Sequence, residues 1–226
     1  MHKLNTFVVV RTKVIFSGLL TAMILFSCSV DREKLDGNKQ VFRYNESAGL
    51  TSLDPAFSRY VENNRAINHL FNGLVQMDKN LLVKPCIAKN WEISEDGLVY
   101  TFFLRNDVYF HENQSFPGGK PRKVTAQDFV YSFIRIMDAK TASPGAWIFS
   151  NVNTDSKDNL GFEAVDKYTL RIHLKEAFQP FLGLLTMKYC SVVPHEVIED
   201  LGADFRNNPV GTGPFKFQMW KEGNKL

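Results

Sequence analysis

Cysteine is nearly missing from this 226-residue chain, which carries only Cys28, Cys86 and Cys190. There is no Cys-x-x-Cys, and no His and Cys stand at zinc spacing, so neither a zinc ribbon nor a dithiol redox site is encoded. The five histidines include no His-Glu-x-x-His pair; Phe110-His111-Glu112 and His195-Glu196 both stop short of one. A Gly-x-Ser-x-Gly elbow is absent. Gly211-Thr-Gly213 lacks the third glycine of a dinucleotide site and reads as a tight turn needing positive φ. Acidic pairs such as Glu95-Asp96 and Glu199-Asp200 read as solvated surface. Enzymatic chemistry finds no foothold in these residues, no cofactor is implied, and recognition becomes the default.

An excess of one charge is lacking too. The chain has 27 Lys and Arg against 24 Asp and Glu, and the whole surplus is Lys3, Arg11 and Lys13. Beyond residue 27 the two signs balance, which excludes the basic field that holds nucleic acid. The densest basic cluster, Lys120-Pro-Arg-Lys123, reads as a solvated turn. No apolar run is long enough to span a bilayer comfortably. The longest, residues 14–26, makes a helix of about 20 Å against roughly 30 Å of hydrocarbon.

That run nevertheless has a meaning. Basic residues precede it and the small Ser27 follows it, so residues 1–27 form the three zones of a secretory signal. Leu25-Phe26-Ser27-Cys28 resembles a bacterial lipobox. The resemblance implies cleavage after Ser27, acylation of Cys28, and anchoring at the cell envelope by buried acyl chains at about 0.8 kcal/mol per CH2. The alternatives are a plain cleaved signal with an incidental cysteine, or an uncleaved anchor. Residues 28–39, polar and charged, read as a flexible tether, and residues 40–226 as the folded part. Cys86 and Cys190 could pair in an exported chain, but their spacing leaves the question open.

With 44% hydrophobic residues over its whole length, the chain can bury a sizeable core in its folded part. Residues 41–44 look strand-like. Ile67, Leu70, Phe71 and Leu74 recur at helical spacing within 59–73, and Gly73 is placed to end that helix. A hairpin follows, with arms at 74–77 and 81–83. In "WEISEDGLVYTFFL" the strand 98–104 puts Leu98, Tyr100, Phe102 and Leu104 on one face, and Asp96-Gly97 turns it back onto Trp91 and Ile93. Thr125 and Asp128 start a helix whose apolar stripe is Phe129, Phe133, Ile136 and Met137. A second hairpin spans 162–174, turning at Asp166-Lys167, with Tyr168, Leu170, Ile172 and Leu174 inward. Residues 214–220 read as a fresh strand that turns at 222–224 and loses its partner at Leu226, as though the chain were cut short. Helices and strands mix without βαβ regularity, giving a mixed α/β (α+β) class.

Several stretches carry a more specific signal: Ser52-Leu-Asp-Pro55, "LFNGLVQMD", "IAKNWEISEDGLVYTFFLRNDVYFHEN", "KVTAQDFVYSFIRIMDAKTASPGA", "FEAVDKYTLRIHL" and "PVGTGPFKF". In this order they resemble the family 5 solute-binding proteins of bacterial ABC importers, and Thr141 to Pro144 resembles the oligopeptide receptors among them. The resemblance implies a periplasmic-binding-protein type II-like clamshell, of which this chain holds only the first lobe, incomplete. It also implies a peptide ligand, an ABC permease and ATPase as partners, a monomeric receptor, and an extracytoplasmic place in the periplasm or on the cell surface, membrane-held through Cys28. Closure of two lobes over a ligand selects it. A single lobe is therefore expected to bind weakly.

By the same resemblance, the ligand faces two loops. The first is Ser58, Arg59, Tyr60 and Val61; the second is Gly145, Ala146 and Trp147. Oligopeptide receptors tend to carry an acid in the first and a tyrosine in the second, where this chain has Arg59 and Gly145. Alternative ligands within the same fold are haem, nickel or a sugar. A surface lipoprotein for adhesion or peptide sensing is the alternative outside transport.

Overall fold

A computed structural model describes residues 43–46, 48–154 and 161–226, and residues 46–226 make one compact unit. The signal, Cys28 and the tether lie outside the described residues, as do Val41 and Phe42 of the first strand-like run; Arg43 and Tyr44 form no strand.

The centre of the unit is a four-stranded antiparallel sheet built from the two anticipated hairpins. Strands β3 (Ala88–Ile93) and β4 (Val99–Leu104) pair through the Asp96-Gly97 turn, where Gly97 takes φ 72°. Strands β5 (Phe162–Asp166) and β6 (Thr169–His173) pair through Asp166, whose carboxylate accepts from the Tyr168 N–H at 2.7 Å. β4 then pairs with β6, giving the order β3-β4-β6-β5. Period-two alternation puts Tyr100, Phe102, Leu104, Leu170 and Ile172 in the core. A smaller hairpin joins β1 (Val75–Met77) to β2 (Val83–Pro85), two residues later than its second arm was expected.

Helix α1 (Val61–Leu70) precedes these strands, and α2 (Ala126–Met137) lies across β5 and β6. α2 starts where Thr125 and Asp128 suggest: the Asp128 carboxylate accepts from the Thr125 N–H at 2.8 Å and from its hydroxyl at 2.9 Å. Its stripe feeds an aromatic cluster. The Phe133 ring centroid sits 4.8 Å from that of Phe149 and 5.3 Å from that of Phe162. This cluster fastens the one-turn 3-10 helix Ala146–Phe149 to the sheet and helix beneath it. The short helices α3 (Phe181–Leu184) and α4 (His195–Leu201) complete the layer.

Four expectations are corrected. α1 ends at Leu70 rather than at Gly73, with Phe71 already extended; Gly73 instead bridges to Ser191. Neither Gly211 nor Gly213 has positive φ. They are glycines because the segment runs against the end of α1, where an added Cβ would stand 2.0 Å from the Leu70 carbonyl oxygen and 2.4 Å from that of His69. Residues 214–220 form no strand: the Phe215 N–H donates to the His69 carbonyl at 3.0 Å, so this stretch continues the seal over the helix end. The Lys120-to-Lys123 cluster is only partly solvated. The Arg122 guanidinium lies over Phe110 and Phe116 and holds Asp128 and Glu196 at 2.7 and 2.6 Å.

Candidate ligand-binding site

Ser52-Leu-Asp-Pro55 works as a bracket. The Ser52 hydroxyl accepts from the Asp54 N–H at 3.1 Å, and Asp54 caps the 3-10 turn Pro55–Phe57 by accepting from the Ala56 N–H at 2.9 Å. Pro55 suits the first position of that turn because its fixed φ matches and its missing N–H costs nothing there. The Asp54 carboxylate is also gripped from α2: Arg135 donates to its two oxygens at 3.0 and 2.6 Å. With Leu53 fully buried, the first loop is pinned to α2. Farther along, Asn63 of α1 exchanges two hydrogen bonds with Thr51.

The pinning sorts the loop's side chains. Ser58 is buried, whereas Arg59, Tyr60 and Val61 are exposed, Tyr60 by 52% and Val61 by 58%. The Ser58 hydroxyl has no hydrogen-bond partner.

The second loop is stitched to the first. Ser143 donates its hydroxyl to the Ala56 carbonyl at 2.6 Å and accepts from the Gly145 N–H at 3.1 Å. Ala142 just before it takes φ 50°, a left-handed conformation that a Cβ disfavours. The aromatic cluster then draws Ile148 and Phe149 inward and leaves Trp147 outward, 53% exposed, with Ala146 half-buried.

Tyr189, in the 3-10 turn Lys188–Cys190, joins the two loops. An added Cβ at Gly145 would come within 2.4 Å of its ring, so the ring occupies the space a larger residue at 145 would need. Burial pushes the Tyr189 phenol up, and the Arg59 cation acts in the opposite sense. No local sequence pattern points to Tyr189, because its role depends on a long-range contact with Gly145.

The two loops expected to form the ligand face are thus joined through Ser143 and Tyr189, and five of their seven residues have surface to offer; Cys28 lies outside the described residues. A groove of about 670 Å³ runs beside that face, lined by residues that include Phe57, Arg59, Tyr60, Pro144 and Arg206. A smaller cavity of about 210 Å³, lined by residues that include His69, Asn72, Cys86 and Lys188, contains none of the anticipated residues. Burial raises the Cys86 thiol and lowers the Lys188 ammonium, and burial raises the Cys190 thiol far above its usual value; both cysteines are free thiols. Among the described residues, no group of three His, Cys, Asp or Glu could hold a metal ion.

Comparison with known proteins defines the class. Residues 83–226 match the family described as "Bacterial extracellular solute-binding proteins, family 5 Middle", and the chain belongs to that family. It is 31% identical over 92% of its length to the Escherichia coli protein named "Probable deoxycholate-binding periplasmic protein YgiS". It is also 31% identical over 96% of its length to the periplasmic oligopeptide-binding protein OppA of Salmonella typhimurium. The chain spans 40% and 41% of these two relatives. Among solved structures, the substrate-binding domain of an oligopeptide ABC transporter from Bacillus anthracis superposes with a TM-score of 0.73 at 29% identity, over 82% of this chain and 36% of that one. The mixed α/β fold is therefore that of part of a type II periplasmic-binding-protein-like receptor.

Proposed function

We propose that this chain supplies the first ligand-contacting lobe of a non-catalytic substrate-binding protein for an ABC importer, with peptides as ligands and segments 58–61 and 145–147 as the ligand face. The proposal extends to a monomeric, extracytoplasmic receptor, tethered through lipidated Cys28, that delivers its ligand to a permease driven by an ATPase. One observation carries the reading. Two loops distant in sequence are stitched together by the hydrogen bond from Ser143 to Ala56, and the Asp54–Arg135 pair pins the first of them to α2, yet the bonds leave Tyr60, Val61 and Trp147 facing solvent. Exposed aromatic surface on a rigid support suits an extended chain whose side chains vary.

Tryptophan emission tests the reading. Titration of the chain with tetra-alanine shifts the emission through Trp147, and W147F abolishes the response while Trp91 and Trp220 remain. A response that persists in W147F, or no response at all, contradicts the proposal.

A further inference from the structure

We propose that the ligand taken by this lobe carries a carboxylate, received by Arg59, Lys140 and Arg206 in the groove beside the first loop. The inference rests on reading segments 58–61 and 145–147 as the ligand face, and it narrows the ligand class for that face. The groove is lined by four cations, Arg59, Arg135, Lys140 and Arg206, and by a single acid, Asp54. Asp54 offers nothing further, because both its oxygens are held by Arg135 and one also accepts from the Ala56 N–H. Three cations are left in surplus in a concave surface, where low-dielectric walls concentrate their field.

The surplus is local. Of the seven arginines within the described residues of the 46–226 unit, Arg65, Arg105, Arg122, Arg135 and Arg171 each hold a carboxylate. The two that hold none, Arg59 and Arg206, both line this groove. Arg59 lies by the Tyr60 ring, at 6.0 Å, and acts on the Tyr189 phenol without meeting an acid, and Arg206 makes a long 3.4 Å hydrogen bond to Asn207. Asp138, Glu199 and Asp204 sit on the same elements but do not line the groove. An arginine fork matches the two oxygens of a carboxylate, and Lys140 adds a point charge at the rim. The carboxylate can be an acidic side chain or a free peptide terminus, and the two sources can be separated.

The experiment titrates the full chain with three tetrapeptides: Ala-Ala-Ala-Ala amide, Ala-Glu-Ala-Ala amide, and Ala-Ala-Ala-Ala free acid. Dissociation constants come from amide shifts, and the arginine Nε resonances are followed directly. At low salt, at least one carboxylate-bearing peptide binds five-fold or more tighter than the neutral amide. That peptide moves the Arg59 and Arg206 Nε signals, and 0.5 M sodium chloride removes its advantage. R59A and R206A, checked for native melting, erase the advantage of the carboxylate-bearing peptide over the neutral amide. Equal binding of all three peptides overturns the carboxylate proposal and leaves the peptide-receptor reading standing. No shift from any peptide at millimolar concentration overturns both.

Discussion

Arg135→Met should be among the most damaging single changes to the site, although Arg135 lies on α2 and not in either loop of the ligand face. The Asp54 side chain is 3% exposed and that of Arg135 14%, so both charges are largely out of water. Removing the arginine strands a buried carboxylate whose remaining donor is the Ala56 N–H. Breaking a buried pair from one side costs about 3–5 kcal/mol. With a urea slope of roughly 2 kcal/mol/M, the unfolding midpoint falls by about 2 M. The double variant D54L/R135M removes both charges and should recover most of that loss, leaving about 1 kcal/mol for the missing cap. Arg171→Ala, which breaks a pair with side chains 35% and 38% exposed, is the control and costs under about 1 kcal/mol. Urea unfolding of the four proteins decides the matter. An R135M loss under about 1 kcal/mol, or a double variant no better than R135M, refutes the claim that this pair holds the first loop.

Other outcomes follow from the same structure. Ser143→Ala should cost about 1–2 kcal/mol by urea unfolding because two hydrogen bonds depend on that hydroxyl, whereas Ser58→Ala, whose hydroxyl has no partner, should be neutral or stabilising. Gly211→Ala forces a Cβ into the Leu70 carbonyl and should lower the melting temperature far more than Gly183→Ala, where an added Cβ meets nothing within 4 Å. Burial pushes Glu196 upward, but the Arg122 hydrogen bond and charge outweigh it and hold the acid below its usual 4.5. A depressed folded-state value means stabilisation present above the unfolded value of about 4.3 and lost as pH falls through the folded one. Melts between pH 3 and 7 should show a shallower acid loss in E196Q. Growth with labelled palmitate in a bacterial host should label the chain, and C28S should remove the label; equal labelling of C28S would exclude lipidation at that residue.

Local physics makes the hairpins and α2 legible in the amino-acid sequence. The Asp96-Gly97 turn, the alternation from Tyr100 to Leu104, and the Thr125-to-Asp128 spacing each act within a few residues. What the sequence hides depends on partners far along the chain. Gly211 and Gly213 resemble turn glycines, yet their freedom is used to approach the end of α1. Arg122 resembles a surface cation until Asp128 and Glu196 close around it. The candidate face divides the same way. Its loops are recognisable by resemblance, but neither the stitch from Ser143 to Ala56 nor the Tyr189 ring under Gly145 leaves a local pattern.

The most direct measurement is a backbone amide shift map of the full chain titrated with tetra-alanine to millimolar concentration. The account predicts that the largest changes fall in 58–61 and 145–147, on the two stitched loops. Changes centred on the cavity lined by His69 and Lys188, or none at all, would contradict it.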